Sequence, residues 1–189
     1  MKNIAIFASG NGTNAEAIIN HFAGSEHGHV ALVVSNKKDA YVLKRAMNHH
    51  VPSAVMGRAE FYDGHSVNEL LDNYHIDLVV LAGFLWLVPR SLVDAYAGRI
   101  INIHPALLPA YGGNGMYGDR VHQAVKASGD KESGITIHWV NEHYDEGDIL
   151  FQARCKVKPT DTPGDIANNV HKLEYQYYPA IIESILKNQ

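Results

Sequence analysis

The strongest constraint on the fold is a regular alternation of short apolar runs with segments of helical spacing. The apolar runs occupy residues 4–7, 30–34, 51–55, 78–81 and 100–103. Continuous apolar runs of this length are typical of strands that are buried on both faces of a parallel sheet. Between them, apolar residues recur every three or four positions, which predicts helices. The alternation therefore predicts an α/β fold, an open and mostly parallel sheet with helices on both faces.

The pattern changes in the second half of the chain. Apolar runs at residues 134–140 and 149–157 are separated by an acidic loop. Because the loop is too short for a helical crossover, these runs predict an antiparallel pair near the C-terminus. Residues 162–186 begin with Thr-Pro, a helix-start signal, and predict a final helix that is interrupted near Pro179. Its predicted buried stripe consists of Ile166, Val170, Leu173, Tyr177 and Ile181.

No repeat, low-complexity tract or linker divides the chain, which predicts a single domain over residues 1–189. Its N-terminal half, about residues 1–100, carries a candidate phosphate-binding loop. Its C-terminal half, about residues 101–189, carries the candidate catalytic residues.

Composition excludes several classes of function. The 16 basic side chains are outnumbered by 20 acidic ones, so a surface that binds nucleic acid is not expected. One cysteine, Cys155, permits no internal disulfide or cysteine-based zinc site, which favours a cytoplasmic location. The longest apolar stretch, residues 78–88, is well short of the roughly 20 residues of a membrane helix. We therefore expect no membrane anchor. The 12 histidines lack the spacing of metal ligands, so we expect no metal site either.

A glycine-rich segment, Ser-Gly-Asn-Gly-Thr-Asn at residues 9–14, joins the first strand to the first helix. Its glycines permit a tight turn with inward-facing amides, and the helix start adds a positive dipole end. These features favour phosphate binding at Gly12, Thr13 and Asn14. Ala15 stands where the dinucleotide fingerprint requires a third glycine, which disfavours a nicotinamide cofactor. A glycine-rich turn without a ligand remains the alternative.

Two polar side chains end the fifth predicted strand. Because side chains alternate along a strand, Asn102 and His104 lie on the same face. In open α/β sheets this edge borders the ligand crevice. An amide donor beside an imidazole suits oxyanion stabilisation and proton transfer in acyl chemistry. A strand end capped by polar residues would show the same pattern.

Asp145 lies in the acidic loop between the two last strands. A carboxylate near His104 would raise the pKa of the imidazole and keep it charged near neutral pH. The sequence does not bring these residues together, and a solvated turn is the alternative for this loop.

Four motifs in fixed order resemble those of the formyltransferase family, and in particular its glycinamide ribonucleotide branch. They are the loop at residues 9–14, Leu-Ala-Gly-Phe at 81–84, Asn-Ile-His-Pro-Ala-Leu-Leu-Pro at 102–109, and Gly-Ile-Thr-Ile-His-Trp-Val at 134–140 with Asp-Glu-Gly at 145–147. The resemblance covers nearly the whole chain. It implies a Rossmann-like domain that transfers the formyl group of 10-formyltetrahydrofolate to the amine of glycinamide ribonucleotide in purine biosynthesis, without a metal.

The resemblance also implies roles for individual residues. Asn102, His104 and Asp145 match the catalytic residues, and Gly12, Thr13, Asn14 and Glu174 match the substrate-binding residues. The folate-binding positions match Arg58, Leu85, Trp86, Leu87, Val88, Asn102, Asn141, Glu142, His143, Tyr144 and Asp145. Two departures are the glycine-rich loop at residues 111–118, longer than in the shorter members, and His171, where a glutamine is common. Small-molecule partners and a monomer or homodimer are expected.

Rival functions stay open at this point. A sister enzyme that hydrolyses formyl-folate would use the same asparagine, histidine and aspartate. The branch that formylates methionyl-tRNA adds a C-terminal domain, for which 189 residues leave no room. From a different class, a nucleotide-binding regulatory module would keep the phosphate loop and lack the chemistry.

Overall fold

Seven strands form one sheet in the computed structural model, which describes residues 1–188. The strands are β1 (Lys2–Phe7), β2 (Gly28–Ser35), β3 (Ser53–Val55), β4 (Leu78–Leu81), β5 (Ile100–His104), β6 (Glu132–Trp139) and β7 (Ile149–Lys156). Their order across the sheet is β3-β2-β1-β4-β5-β6-β7. Strands β1 to β5 are parallel, and β6 and β7 each run antiparallel to the preceding strand. The predicted Rossmann-like α/β fold with a late antiparallel pair is confirmed.

Helices cover both faces of this sheet. They are α1 (Thr13–Phe22), α2 (Tyr41–Asn48), α3 (Arg58–Tyr62), α4 (Ser66–Asn73), α5 (Arg90–Ala95), α6 (Asp119–Ser128) and α7 (Pro163–Lys187). Ile4 and Ile6 of β1 pack in the core layer that contains α1 and α7, whereas Phe7 packs in the opposite layer with Phe61 and Leu92. Burial on both faces explains why the strands appear as continuous apolar runs. Among residues 1–188, no helix has the length and apolar character needed to cross a bilayer.

The last helix begins where its sequence signal predicts. Thr162 Oγ1 accepts a hydrogen bond from the Asp165 amide, and Asp165 Oδ2 accepts one from the Thr162 amide. This reciprocal capping box satisfies two donors at the helix start. The predicted interruption near Pro179 is wrong, since α7 continues through this residue to Lys187. Pro179 and its neighbour Tyr178 are buried, so packing against the core holds this turn in place.

The buried face of α7 differs from the predicted stripe. Ile166 and Val170 are buried as predicted, but Leu173, Tyr177 and Ile181 are only partly buried. The face continues instead through Glu174, Tyr178, Ile182 and Leu186. Because Glu174 at the centre of this face is polar, a search for periodic apolar residues does not identify the face that is buried.

The sheet order creates a crevice at one edge. From β1, the chain first adds β2 and β3 on one side and then β4 and β5 on the other, so a topological switch point lies between β1 and β4. Open parallel sheets bind ligands beyond the carboxyl ends of the strands at such a point. The Tyr178 hydroxyl donates to the Leu81 carbonyl at 2.9 Å and lies 3.4 Å from the Ile101 carbonyl. This fully buried side chain ties α7 to the ends of β4 and β5.

We expect Tyr178→Phe to lower the free energy of unfolding by about 1–2 kcal/mol, because it leaves buried carbonyl groups with one donor fewer. Urea denaturation monitored by circular dichroism measures this difference. Tyr175→Phe is the matched control, since Tyr175 lies on the same helix and is 40% exposed. Equal loss of stability in both variants would contradict the anchoring role of Tyr178.

Candidate active site

A cavity of about 460 Å³ opens at the carboxyl ends of β1, β4 and β5. Its walls come from the loop at residues 9–14, from residues 81–88, from the end of β5, and from the loops at 113–118 and 140–145. Side chains of α6 and α7 close one end. The cavity therefore combines all four sequence motifs, and its size is that of a small-molecule site.

Asn102 and His104 both line this cavity, as their alternation along β5 predicts. His104 is 4% exposed. Its Nε2 donates to the Tyr111 carbonyl at 2.7 Å, and its Nδ1 lies 3.4 Å from Asp145 Oδ2. Because Nε2 carries the proton in the neutral ring, Nδ1 gains a hydrogen toward Asp145 only when the ring is protonated.

Asp145 reaches these residues from the loop after β6. Its Oδ2 accepts from the Gly113 amide at 3.0 Å, and its Oδ1 accepts from Asn102 Nδ2 at 3.4 Å. Asp145 has a left-handed backbone, and Gly147 leaves no room for a Cβ because one would lie 1.7 Å from the Trp139 carbonyl oxygen. This tight turn directs the Asp145 carboxylate inward, so the loop is not merely a solvated turn.

His138 completes this cluster, and the sequence analysis missed it. It lies opposite Asn102 in the β5–β6 pairing and is 2% exposed. Its Nδ1 donates to the Trp139 carbonyl at 2.8 Å, and its Nε2 lies 3.1 Å from Asn102 Nδ2 and 3.6 Å from Asp145 Oδ1. When Nδ1 carries the single ring hydrogen, Nε2 accepts from Asn102 and fixes the orientation of its amide. The available sequence signal is a lone histidine within an apolar strand.

The charge state of His104 differs from the sequence prediction. Burial lowers the pKa of His104, and His138 lowers it further, whereas Asp145 and the Tyr111 carbonyl raise it. The net pKa lies below the ordinary value, so His104 is neutral at pH 7. Burial is the stronger effect because the ring is removed from water.

Asp145 keeps its charge in the same surroundings. Burial acts to raise the pKa of Asp145, but His138, His104 and the Gly113 amide together hold it below its usual value. The cluster therefore holds an ionised carboxylate beside a neutral imidazole. This pair can accept and stabilise a proton on His104 as negative charge develops nearby.

Helix α2 packs against the glycine-rich loop at residues 9–14 and holds it in place. Gly12 has φ of 75° and caps α1, and a Cβ there would lie 2.4 Å from Val42. Arg45 donates to the Asn11 carbonyl at 2.8 Å and to Asn11 Oδ1 at 2.7 Å, and it also contacts Glu16. The sequence analysis missed Arg45 because it lies far along the chain. The loop thus presents its amides in a fixed arrangement at a helix start, which suits an anion.

Glu174 lies at the same end of the cavity. It is 6% exposed and accepts from Asn14 Nδ2 at 3.0 Å. Burial raises the pKa of Glu174, opposed by Asn14 and His171. The predicted substrate residues Gly12, Thr13, Asn14 and Glu174 therefore converge, and His171 lines the same wall.

The predicted folate residues are only partly brought together. Leu85, Trp86, Leu87, Val88, Asn141, His143 and Tyr144 line the cavity with Asn102 and Asp145. Trp86 is partly buried and packs against Phe61 and Tyr62, so it is neither simple core nor free surface. Arg58 lies outside the lining and stacks on Tyr62 and Trp86 with its guanidinium carbon 5.1 and 5.7 Å from their ring centres.

Glu142 does not face the cavity. Its side chain is 52% exposed and lies 3.7 Å from His143 Nε2. Its neighbours Asn141 and His143 line the cavity, whereas Glu142 does not. Within residues 1–188, no cluster of three or more histidine, cysteine or acidic side chains could hold a metal ion.

We expect Asp145→Asn to lower the pKa of His104 further, because the carboxylate that opposes burial loses its charge. A pH titration of the His104 ring signals by nuclear magnetic resonance measures this change. Glu146→Gln removes the same charge from the next, exposed residue and should leave the His104 titration in place. A rise in the His104 pKa in Asp145→Asn would contradict the assigned electrostatics.

Known proteins are similar to this chain over almost its whole length. The family model described as formyl transferase matches residues 2–182. Phosphoribosylglycinamide formyltransferase, chloroplastic, of Arabidopsis thaliana is 44% identical over 100% of this chain, which spans 66% of that relative's length. Phosphoribosylglycinamide formyltransferase of Haemophilus influenzae is 38% identical over 97% of this chain and 86% of its own.

A solved structure agrees with these relatives. Glycinamide ribonucleotide transformylase 1 from Symbiobacterium toebii superposes with a TM-score of 0.90 and 35% identity, covering 100% of this chain and 89% of its own. The family predicted from the order of the four motifs is thereby confirmed. The chain belongs to the formyl transferase family.

Proposed function

We propose that the chain transfers the formyl group of 10-formyltetrahydrofolate to the amine of glycinamide ribonucleotide, a step of purine biosynthesis. The observation that carries this proposal is the position of Asn102, His104 and Asp145 in one cavity between an anion-binding loop and an apolar wall. Such a cavity can hold a sugar phosphate and a flat ring system with their reacting groups at the cluster.

The acceptor binds at the end formed by α1 and α7. The amides of Gly12, Thr13 and Asn14 at the start of α1 bind the phosphate, which the helix dipole also stabilises. Glu174 offers a buried carboxyl to the ribose or glycinamide part. This binding directs the glycinamide amine toward Asn102.

The formyl donor binds along residues 85–88 and the loop at 141–145. Val88 is 3% exposed, while Leu85 is 37% exposed at the entrance. Backbone groups of both segments surround an apolar slot, which is the environment that a pterin ring requires. We place Arg58 at the outer end, where its guanidinium, stacked on Trp86, can bind the carboxylates of the folate tail.

The chemistry follows from the cluster. The acceptor amine attacks the formyl carbon. The Asn102 Nδ2 hydrogen that makes the long 3.4 Å contact with Asp145 Oδ1 leaves that partner and stabilises the developing oxyanion. His104 takes the proton that the attacking amine loses, and the Asp145 carboxylate stabilises the imidazolium. The bond from the formyl carbon to N10 of the folate then breaks, and the proton passes from His104 to N10. His104 is neutral again, so the cluster ends in its starting state.

His138 acts as a positioning residue in this scheme. Its Nε2 accepts from Asn102 and keeps the amide hydrogens directed along the cavity wall. The Gly113 amide supports Asp145 in the same way. Preorganised donors of this kind contribute because they need no reorientation as charge develops.

The remaining parts of the proposal concern the setting of the reaction. Both partners are small molecules, and the excess of acidic over basic side chains supports the absence of a nucleic-acid partner. Cys155 is unpaired, which supports a cytoplasmic location. The proposed oligomeric state is a monomer or a homodimer.

Incubation of the purified protein with 10-formyltetrahydrofolate tests the proposal. We expect formyl-folate to be consumed only when glycinamide ribonucleotide is present, with the formyl mass found on the acceptor. Absorbance and mass spectrometry follow the two products. Consumption without acceptor would instead indicate a hydrolase, and ligand binding without turnover would indicate a regulatory module.

We expect His104→Gln to lower kcat about 100-fold or more, since it removes the group that becomes charged in the transition state. The KM values of both substrates should change little, because the neutral ring contributes little to ground-state binding. Steady-state kinetics measure both quantities. His65→Gln, at a side chain that is 78% exposed, is the control and should retain full activity. An unchanged kcat in His104→Gln would remove His104 from the mechanism.

A further inference from the structure

His122 is a buried histidine of the cavity that the mechanism above does not use. It is the fourth residue of α6, is 2% exposed and lines the cavity wall. Its Nδ1 is fully enclosed and has no hydrogen-bond partner among residues 1–188. Nδ1 is beyond the reach of a ligand, but Nε2 is not enclosed and also has no hydrogen-bond partner in the described chain. A ligand in the cavity that supplies this partner gains affinity.

The surroundings of His122 are polar and come from three helices. The His171 ring of α7 lies perpendicular to it, with ring centres 6.2 Å apart. Asn14 of α1 donates through Nδ2 to Glu174, while its own Oδ1 is enclosed and has no partner in the described chain. Two unpaired polar atoms therefore lie in the wall at the acceptor end of the cavity.

The charge state of His122 restricts the group it can bind. Burial lowers the pKa of His122, His171 and His104 lower it further, and only Asp119 raises it. The ring is therefore neutral at pH 7 and offers one donor and one acceptor. A hydroxyl group can pair with Nε2 whether or not this nitrogen carries the proton, because a hydroxyl both donates and accepts, whereas a phosphate would favour a cationic ring.

We propose that His122 is a specificity-determining residue that hydrogen-bonds a ribose hydroxyl of the sugar phosphate. This inference rests on the proposed function and adds α6 to the two helices already assigned to the acceptor. The phosphate binds the amides at the start of α1, and the sugar lies between His122 and Glu174. Loss of a single neutral hydrogen bond of this kind weakens sugar phosphate binding about 10-fold.

The test compares ligands with and without a sugar. Isothermal titration of ribose 5-phosphate and of inorganic phosphate is carried out on the unmodified chain and on His122→Leu. We expect His122→Leu to weaken ribose 5-phosphate binding about 10-fold and to leave phosphate binding unchanged. His122→Gln, which keeps a donor and an acceptor, should restore part of the loss. His21→Leu, on α1 and outside the cavity, should bind both ligands normally.

Kinetics supply an independent readout. His122→Leu should raise the KM for glycinamide ribonucleotide about 10-fold and leave the KM for formyl-folate unchanged. Unchanged ribose 5-phosphate affinity, or an equal loss for both ligands, would overturn the role of His122. If ribose 5-phosphate binding depends on His122 but no formyl transfer occurs, the inference stands and the proposed function fails. If transfer occurs with an unchanged acceptor KM in His122→Leu, the inference alone fails.

Discussion

The ionised carboxylate of Asp145 is the constraint on which the site depends. Its side chain is 11% exposed, and a buried charge is costly unless several partners stabilise it. Those partners are Asn102, His104, His138 and the Gly113 amide. They belong to β5, β6 and the loop at residues 111–118, so one carboxylate fixes the relative positions of three segments. The loop at residues 111–118 is thus held by the same carboxylate that we propose stabilises a proton on His104.

The mixed topology of the sheet makes this arrangement possible. Parallel strands bring the ends of β1, β4 and β5 to one edge, where the loop at residues 9–14 and the cluster meet. The antiparallel β6 then places His138 directly opposite Asn102. If β6 were parallel to β5, the loop that follows β6 would begin at the other end of β6, and Asp145 would not lie beside Asn102. The late change in strand direction, visible already in the sequence, therefore has a catalytic consequence.

The sequence predicts the parts of the site that local patterns encode. Alternation along β5 places Asn102 and His104 on one face, and the Gly12 turn precedes a helix. It does not predict His138 or Arg45, whose partners lie 36 and 34 positions away along the chain. The neutral state of His104 was also missed, because its burial arises only when the sheet and loop enclose it. Glu142 does not line the cavity, although its neighbours Asn141 and His143 do, because the course of the loop and not residue order decides which side chains face inward.

Two buried carboxyl groups serve opposite ends of the cavity, and their surroundings separate their charge states. Asp145 has several donors around it, and its pKa is lowered despite burial. Glu174 has one hydrogen-bond donor, Asn14, and burial raises its pKa. Divergent pKa values of neighbouring carboxyl groups divide roles within a site. Asp145 is therefore suited to stabilising a proton on His104, while Glu174, with its partners on α1 and α7, is suited to binding neutral sugar hydroxyls.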